Sequence, residues 1–176
     1  MIIKVSHNKQ DYKINTKQSI DISIPYNFNG AQPNFYDVNP GKSIPFKSGE
    51  KSYSVADGAG CNVPEISINI HCTGTHTEHV GHLLENPGDI GMVLKDIFIP
   101  TVLITVHPKL FNDTKEHYHC SVKNNELVIS AESICTKFRN WKENQPKALI
   151  IRTTPNTEDK KYHQFTKTPP PFFTND

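Results

Sequence analysis

The stretch PEISINIHCTGTHTEHVGH, residues 64–82, joins a strand pattern to a dense cluster of possible metal ligands. Its first half alternates apolar and polar side chains from Ile66 to Cys72, and this period of two predicts a strand. Its second half, counted from the first histidine, contains four of the chain's nine histidines, one cysteine and one glutamate. If the chain stays extended beyond Cys72, His76 and Glu78 lie on the same side as the cysteine.

A thiolate, an imidazole and a carboxylate from Cys72, His76 and Glu78 can converge on one cation. Sulfur, nitrogen and oxygen donors together suit zinc best, and manganese or iron would be favoured if the sulfur were not a ligand. The sequence therefore predicts a divalent metal site, with zinc as the first choice. Strand parity points His71 and His79 the other way and predicts that neither takes part.

Three other interpretations stay open for this segment. His76, His79 and His82 are spaced by three, as on a helix, but the glycines and threonines among them disfavour helix. Cys72 continues an apolar strand face, so a buried inert thiol is about as plausible as a ligand. Cys72 could also be a nucleophile paired with His76 or His82, which would require an exposed, activated thiol.

The composition is that of a globular domain rather than a nucleic-acid or membrane protein. The 176 residues are 35% hydrophobic and 21% charged, with a formal net charge of +1, so neither nucleic acid nor an anionic membrane is an expected partner. The amino terminus becomes polar too early for a signal peptide, which predicts a cytoplasmic protein. Four cysteines without a Cys-x-x-Cys pair predict free thiols or metal ligands rather than a disulfide framework.

Outside the motif, the hydrophobic pattern predicts strands and one helix, an α+β domain that is mainly β and spans residues 1–176. Residues 26–47 are rich in asparagine and proline and predict a long loop. The predicted strands are Ile20–Ile24, Thr101–Val106, Glu126–Ile129 and Lys147–Arg152. The helix is predicted to begin after an N-cap at Ser130 and to present Ile134, Phe138 and Trp141 on one face, ending near Asn144.

The motif resembles that of the cyclase and kynurenine formamidase-like family of metal-dependent hydrolases, His-x-Gly-Thr-His-x-Asp-x-Pro-x-His. The matching run here extends from Cys72 to His82 and keeps the Gly-Thr-His core and the final histidine. Asp21-Ile22-Ser23-Ile24-Pro25 is similar to the family's early Asp-Leu-Ser strand. The run from Ala148 to Thr153 is similar to its later Leu-Leu-Arg-Thr strand, so the resemblance covers most of the chain.

Three positions depart from the family motif. Cys72 replaces the first ligand histidine, Glu78 replaces the aspartate, and Val80 replaces the proline. Glutamate keeps the carboxylate at a longer reach, and cysteine keeps a donor while adding negative charge. These changes can alter the preferred metal and the preferred substrate.

The resemblance implies a swivelling β/β/α fold and hydrolysis of an amide, formamide or lactam bond in a small molecule. Cys72, His76 and Glu78 would hold one or two metal ions, and His82 would be the general base, since histidine side chains titrate near neutrality. Phe28, Phe35 and Tyr36 could wall an aromatic pocket, although ordinary core filling would explain them equally well. By analogy the protein is expected to be a homo-oligomer.

The end of the sequence motivates an alternative. Family members continue beyond the Leu-Leu-Arg-Thr strand with an Asp-x-Pro-Ser-x-Asp segment and a further histidine and glutamate that complete the metal centre. The printed chain ends at Asp176 without them, so the C-terminal part of the family domain is expected to be missing. A non-catalytic, metal-binding or partner-binding relic is therefore the alternative to an active enzyme.

Overall fold

A computed structural model of the chain describes residues 1–138 and 146–176. The chain divides into two compact units, each built from separate segments. Unit 1 comprises Met1–Ile22, Val80–Thr157 and Pro170–Asp176, and unit 2 comprises Ser23–His79 and Glu158–Pro169. Strands predominate over short helices, which agrees with the predicted mainly-β, α+β class. The single domain over residues 1–176 stays a prediction.

Unit 1 contains a hairpin, a parallel strand pair and a small mixed sheet. The hairpin pairs β1 with β2, the parallel pair is β7 with β10, and the mixed sheet has the order β11-β9-β8. The strands are β1 (Ile2–His7), β2 (Gln10–Asn15), β7 (Thr101–Val106), β8 (Lys109–Leu110), β9 (Leu127–Ile129), β10 (Ala148–Thr153) and β11 (Phe172–Phe173). Its helices are α2 (Ile90–Val93) and α3 (Ala131–Cys135), with 3-10 turns at Thr16–Gln18, Val80–Leu83 and Phe111–Asp113.

The core of unit 1 lies on one face of the β7–β10 pair. Ile104 and Val106 of β7 are 6% and 2% exposed, and they cluster with Ile129 of β9. Ile134 and Phe138 pack against this cluster. The alternation along β7 therefore sends every second side chain into the core, as the run of β-branched residues predicted.

Helix α3 begins where the sequence predicted but is short. The Ser130 hydroxyl accepts a hydrogen bond from the Ser133 N–H at 3.2 Å, which is N-cap geometry. The helix ends at Cys135, and Thr136 forms the C-cap. Of the predicted apolar stripe, Trp141 lies outside the described residues, as does the predicted stop at Asn144.

The Glu116 carboxylate adds a cap to α3 that the sequence did not signal. It accepts the N–H groups of Ala131 at 2.8 Å and Glu132 at 2.9 Å, and the Thr174 hydroxyl at 2.6 Å. Negative charge at a helix amino terminus satisfies donors that have no partner within the helix. Glu116 thus joins the start of α3 to the residue that follows β11.

Unit 2 consists of short antiparallel pairs, irregular segments and one turn of helix. β3 (Lys42–Pro45) pairs with β6 (Pro64–Ser67), and β4 (Lys47–Ser48) pairs with β5 (Lys51–Ser52). Helix α1 (Ile70–Thr73) follows β6, and 3-10 turns occupy Val55–Asp57 and Glu158–Lys161. A parallel bridge between Asn34 and Gln164 joins the two segments of this unit.

Two predicted strands are wrong in whole or in part. Residues 20–24 form no strand, and Ile20 and Ile22 are 86% and 75% exposed, so this alternating pattern lacks the partner strand that it would need. The strand predicted through Cys72 ends at Ser67, because Asn69 acts as an N-cap and starts α1. The loop predicted over residues 26–47 contains no named strand as far as Gly41 and is wrong beyond it, because β3 begins at Lys42.

The predicted strands at 101–106, 126–129 and 147–152 are confirmed to within one residue at their ends. None of the four cysteines forms a disulfide, and whether any of them binds a metal stays a prediction. Within residues 1–138 and 146–176, no helix combines the length and apolar character required to cross a bilayer.

Candidate metal centre

Cys72 lies in α1 rather than on a strand. Its N–H donates to the Asn69 side-chain oxygen at 3.2 Å, and its carbonyl accepts the Phe35 N–H at 3.0 Å. The residue is half-buried. The prediction that Cys72, His76 and Glu78 lie on one face assumed an extended strand. Cys72 lies in a helical turn, so that prediction does not apply to it. Its role as a ligand stays a prediction.

His76 has a defined ring orientation. Its Nδ1 lies 3.0 Å from the carbonyl oxygen of Gly74, and the residue is half-buried. A carbonyl oxygen only accepts hydrogen bonds, so as a hydrogen bond this contact places a hydrogen on Nδ1, and in the neutral imidazole the lone pair is then on Nε2. Metal-binding histidines characteristically donate their second ring N–H to a carbonyl or carboxylate in this way.

His71 contacts the predicted ligands, contrary to strand parity. Its Nδ1 lies 3.2 Å from a carboxylate oxygen of Glu78, and its ring meets that of His76 edge to face with centroids 4.9 Å apart. The helical turn at α1 rotates His71 away from the direction that an extended strand would give it. Strand parity predicted that the His71 side chain points away from the cluster, and this prediction is therefore wrong.

Two further histidines follow Glu78 along the chain. His79 is half-buried and is the last residue of the long segment of unit 2. His82 belongs to unit 1, where it lies in the 3-10 turn Val80–Leu83 with an exposed side chain. The role of general base assigned to His82 stays a prediction.

The donor types that meet in unit 2 fit a divalent metal. The imidazole of His71 contacts both the carboxylate of Glu78 and the ring of His76, and the Cys72 thiol belongs to the same short segment. Nitrogen and oxygen donors of this kind suit zinc, manganese and iron, and a thiolate would shift the preference towards zinc. His71 and Glu78 are close to half exposed, at 46% and 41% of their side-chain surfaces, so a hydrated ion can reach them.

The segment Ile24–Tyr26 supports the motif, although we did not predict this role from the sequence. The Ile24 N–H donates to the Thr75 hydroxyl at 2.9 Å, and the Tyr26 hydroxyl is hydrogen-bonded to that of Thr73. Ile24 lies within the stretch Asp21–Pro25 that resembles the family's early strand, and Tyr26 directly follows it. That proximity in sequence was the one available signal, but the predicted strand concealed it.

The predicted pocket aromatics lie in two stacked groups within unit 2. Phe28 packs on Tyr26 with ring centroids 4.7 Å apart. Phe35 contacts Tyr36 edge to face at 4.4 Å and stacks on Phe165 at 6.1 Å. Tyr36 is 76% exposed, so core filling does not explain it, whereas Phe28 and Phe35 are half-buried.

A family model described as "Putative cyclase" matches residues 20–176. Searches of curated proteins and of solved structures return no match. The matched region contains the motif loop and the supporting segment Ile24–Tyr26. The chain therefore belongs to the family described as "Putative cyclase", which is the cyclase and kynurenine formamidase-like family that the motif resembles.

Proposed function

We propose that the protein is a metal-dependent hydrolase that cleaves an amide, formamide or lactam bond of a small molecule. The observation that carries the proposal is the orientation of His76. Its Nδ1 is bonded to the Gly74 carbonyl, in a chain that belongs to the "Putative cyclase" family. A histidine held in this way presents Nε2 as a preorganised donor for a cation.

The proposed ligands are Cys72, His76 and Glu78, with zinc as the first choice. The contact between His71 and Glu78 suggests a second arrangement, in which His71 orients the carboxylate or supplies a further nitrogen. Manganese or iron becomes the better candidate if the Cys72 sulfur does not bind. When bound, such an ion polarises the substrate carbonyl and supplies a nucleophilic water near neutral pH.

A residue of this chain would transfer the protons. In this proposal an imidazole nitrogen of His82 takes a proton from the attacking water and returns it to the leaving nitrogen of the scissile bond. Histidine suits both steps because it exchanges protons near neutral pH, and general acid–base catalysis of this kind contributes about 10²–10⁴-fold. This role rests on the position of His82 at the end of the family motif.

The aromatic residues favour a substrate with a flat apolar group. The Phe35 N–H is bonded to the Cys72 carbonyl, so the Phe35–Tyr36 pair is tied directly to the proposed ligand segment. Tyr36 adopts a left-handed backbone conformation with φ of 62°. A tyrosine in this region is strained, and such strain persists mainly where the surrounding structure or a function requires it. An exposed, strained ring beside the ligand segment can stack on an aryl substrate.

The test combines metal analysis with hydrolysis assays. Protein purified without chelator is analysed for zinc, manganese and iron by mass spectrometry. It is then assayed on an N-formyl aryl amine and an aryl lactam, before and after chelation and re-addition of each metal. The proposal expects about one or two ions per chain and chelator-sensitive hydrolysis that the bound metal restores. Metal at trace level together with no hydrolysis in any metal would refute it.

A further inference from the structure

Tyr26 fills a slot between two glycines of unit 2. A Cβ built on Gly74 would lie 2.6 Å from Cε2 of Tyr26, and one built on Gly41 would lie 2.8 Å from the Tyr26 hydroxyl oxygen. Both distances are too short for non-bonded atoms, so the ring occupies the volume that two side chains would need. The backbone of Gly74 is extended, with φ of −163° and ψ of 169°, a conformation open to any residue. Gly74 is therefore a glycine because Tyr26 needs the space.

The direction of the Tyr26 hydrogen bond follows from its partner. The Thr73 hydroxyl donates to the Asn69 carbonyl at 2.6 Å, so its single hydrogen is already used. The contact between the two hydroxyls therefore has Tyr26 as donor and Thr73 as acceptor. Thr73 is 1% exposed, and a hydrogen bond shielded from water is electrostatically stronger than one at the surface. Tyr26 consequently holds Thr73 in place through a shielded bond.

Three consecutive motif residues are thus fixed by the segment Ile24–Tyr26. Tyr26 bonds to Thr73 and packs on Gly74, while the Ile24 N–H bonds to Thr75. The carbonyl of Gly74 in turn receives the Nδ1 hydrogen of His76. The direction of that carbonyl depends on the peptide plane that Tyr26 and Ile24 hold.

We propose that Tyr26 is a positioning residue that sets the tautomer and ring direction of His76 through the peptide of Gly74. Tyr26 acts through its neighbours and does not touch the reacting atoms. The link to metal binding rests on the proposed function, whereas the link to the His76 tautomer does not. The two parts can therefore fail separately.

The first measurement is the tautomer of His76 in metal-free protein, read from the imidazole nitrogen resonances of ¹⁵N-labelled samples. Wild-type protein is expected to show His76 with hydrogen on Nδ1. Tyr26→Ala should give a mixture of the two tautomers, and Tyr26→Phe, which keeps the ring in its slot but loses the bond to Thr73, should lie between Tyr26→Ala and wild type. Tyr53→Ala is the matched control, because Tyr53 stacks on Phe46 elsewhere in unit 2.

The second measurement is zinc affinity by competition with a fluorescent chelator. Tyr26→Ala should weaken binding about 10–100-fold, the range typical for partners that orient metal ligands, and Tyr53→Ala should not change it. Gly74→Ala should weaken binding in the wild-type background, where the new methyl meets Tyr26. It should have little further effect in Tyr26→Ala, where the slot is open, which makes the pair non-additive.

Circular dichroism verifies that each variant is folded, and Tyr26→Leu replaces Tyr26→Ala if the latter is not. Unchanged His76 tautomer in a folded Tyr26→Ala or Tyr26→Leu variant would overturn the positioning role. If wild type binds none of zinc, manganese and iron and hydrolyses no substrate, the proposed function fails, and the tautomer comparison still decides the role of Tyr26. Additive effects of Gly74→Ala and the Tyr26 variant on tautomer or affinity would also count against it.

Discussion

The Nδ1 atom of His76 lies 3.0 Å from the carbonyl oxygen of Gly74, two residues earlier in the chain. This short-range contact assigns the hydrogen of the imidazole and so identifies Nε2 as the nitrogen available to a cation. Within unit 2 the His76 ring also contacts the ring of His71, which in turn contacts the carboxylate of Glu78. Different histidines of the motif should therefore respond differently to substitution.

His76→Ala should lower zinc affinity by more than about 100-fold, because it removes a ligand rather than its support. The Kd is measured by competition with a chromophoric chelator. His79→Ala is the control and should leave the Kd within about threefold of wild type. Equal Kd values for wild type and His76→Ala would show that His76 is not a ligand.

His82→Ala should separate turnover from metal binding. Removal of a general acid–base group is expected to lower kcat by about 10²–10⁴-fold, with the metal content nearly unchanged. Both quantities are measured on the same preparation, by hydrolysis assay and by metal analysis. Loss of metal together with activity would instead identify His82 as a ligand and contradict its role as the base.

Unit 1 offers a matched pair for testing which face of β7 is the core. Ile104 is 6% exposed and its neighbour Leu103 is 57% exposed, although both are large aliphatic residues on one strand. Ile104→Ala should lower the free energy of unfolding by about 2–4 kcal/mol through lost burial and an unfilled cavity. Leu103→Ala should lower it by no more than about 0.5–1 kcal/mol. Urea unfolding followed by circular dichroism measures both, and equal losses would contradict the burial pattern.

The buried strands could be predicted from the sequence because the side chains of a buried strand are themselves apolar and often β-branched. The run at Thr101–Val106 is β-branched and apolar, so a buried strand is the conformation that satisfies it best. The alternation at Ile20–Ile24 was misleading, since the same pattern can occur in an irregular segment with exposed isoleucines, here one whose Ile24 N–H donates to the Thr75 hydroxyl. Alternation alone does not supply the partner strand that makes a β-strand stable.

The candidate site was predicted by residue type but not by geometry. The sequence places histidines, a cysteine and a glutamate within one short segment, and donor chemistry is independent of the backbone path. Their directions depend on α1, which begins because Asn69 caps it after Ile68, within an otherwise alternating run. The contribution of Tyr26 could not be predicted, because Tyr26 packs on Gly74, more than forty residues later in the chain. Hydrophobic periodicity is informative only within a window of roughly 11–18 residues.

Glu116→Gln should destabilise unit 1 more than its charge alone suggests. The carboxylate accepts two helix N–H groups and the Thr174 hydroxyl, and an amide has one acceptor oxygen and brings a donor group towards those donors. The expected loss is about 1–2 kcal/mol in the free energy of unfolding, similar to removal of an N-cap. Urea unfolding measures it. Glu50→Gln, at the exposed turn between β4 and β5, is the control and should change stability by less than about 0.5 kcal/mol.

The same carboxylate should make stability depend on pH. Partial burial raises the pKa of Glu116, but hydrogen bonds from Thr174, Glu132 and Ala131 together outweigh it, so that the pKa lies below its ordinary value of 4.5 despite opposition from the Asp176 carboxylate. The backbone N–H of His117 is the largest cause of the lowered pKa of Asp176, whose ordinary value is 3.8.

For a group whose folded-state pKa is lowered, the unfolded chain binds protons first, so its stabilisation is complete above the ordinary value and is lost as the pH falls through the folded value. The difference in unfolding free energy between wild type and Glu116→Gln should therefore be largest near about pH 7 and should shrink below about pH 4.5. Urea unfolding of both proteins at several pH values down to about pH 3 measures this difference. A difference that stays constant over this range, or grows as the pH falls, would show that the Glu116 charge does not cap α3.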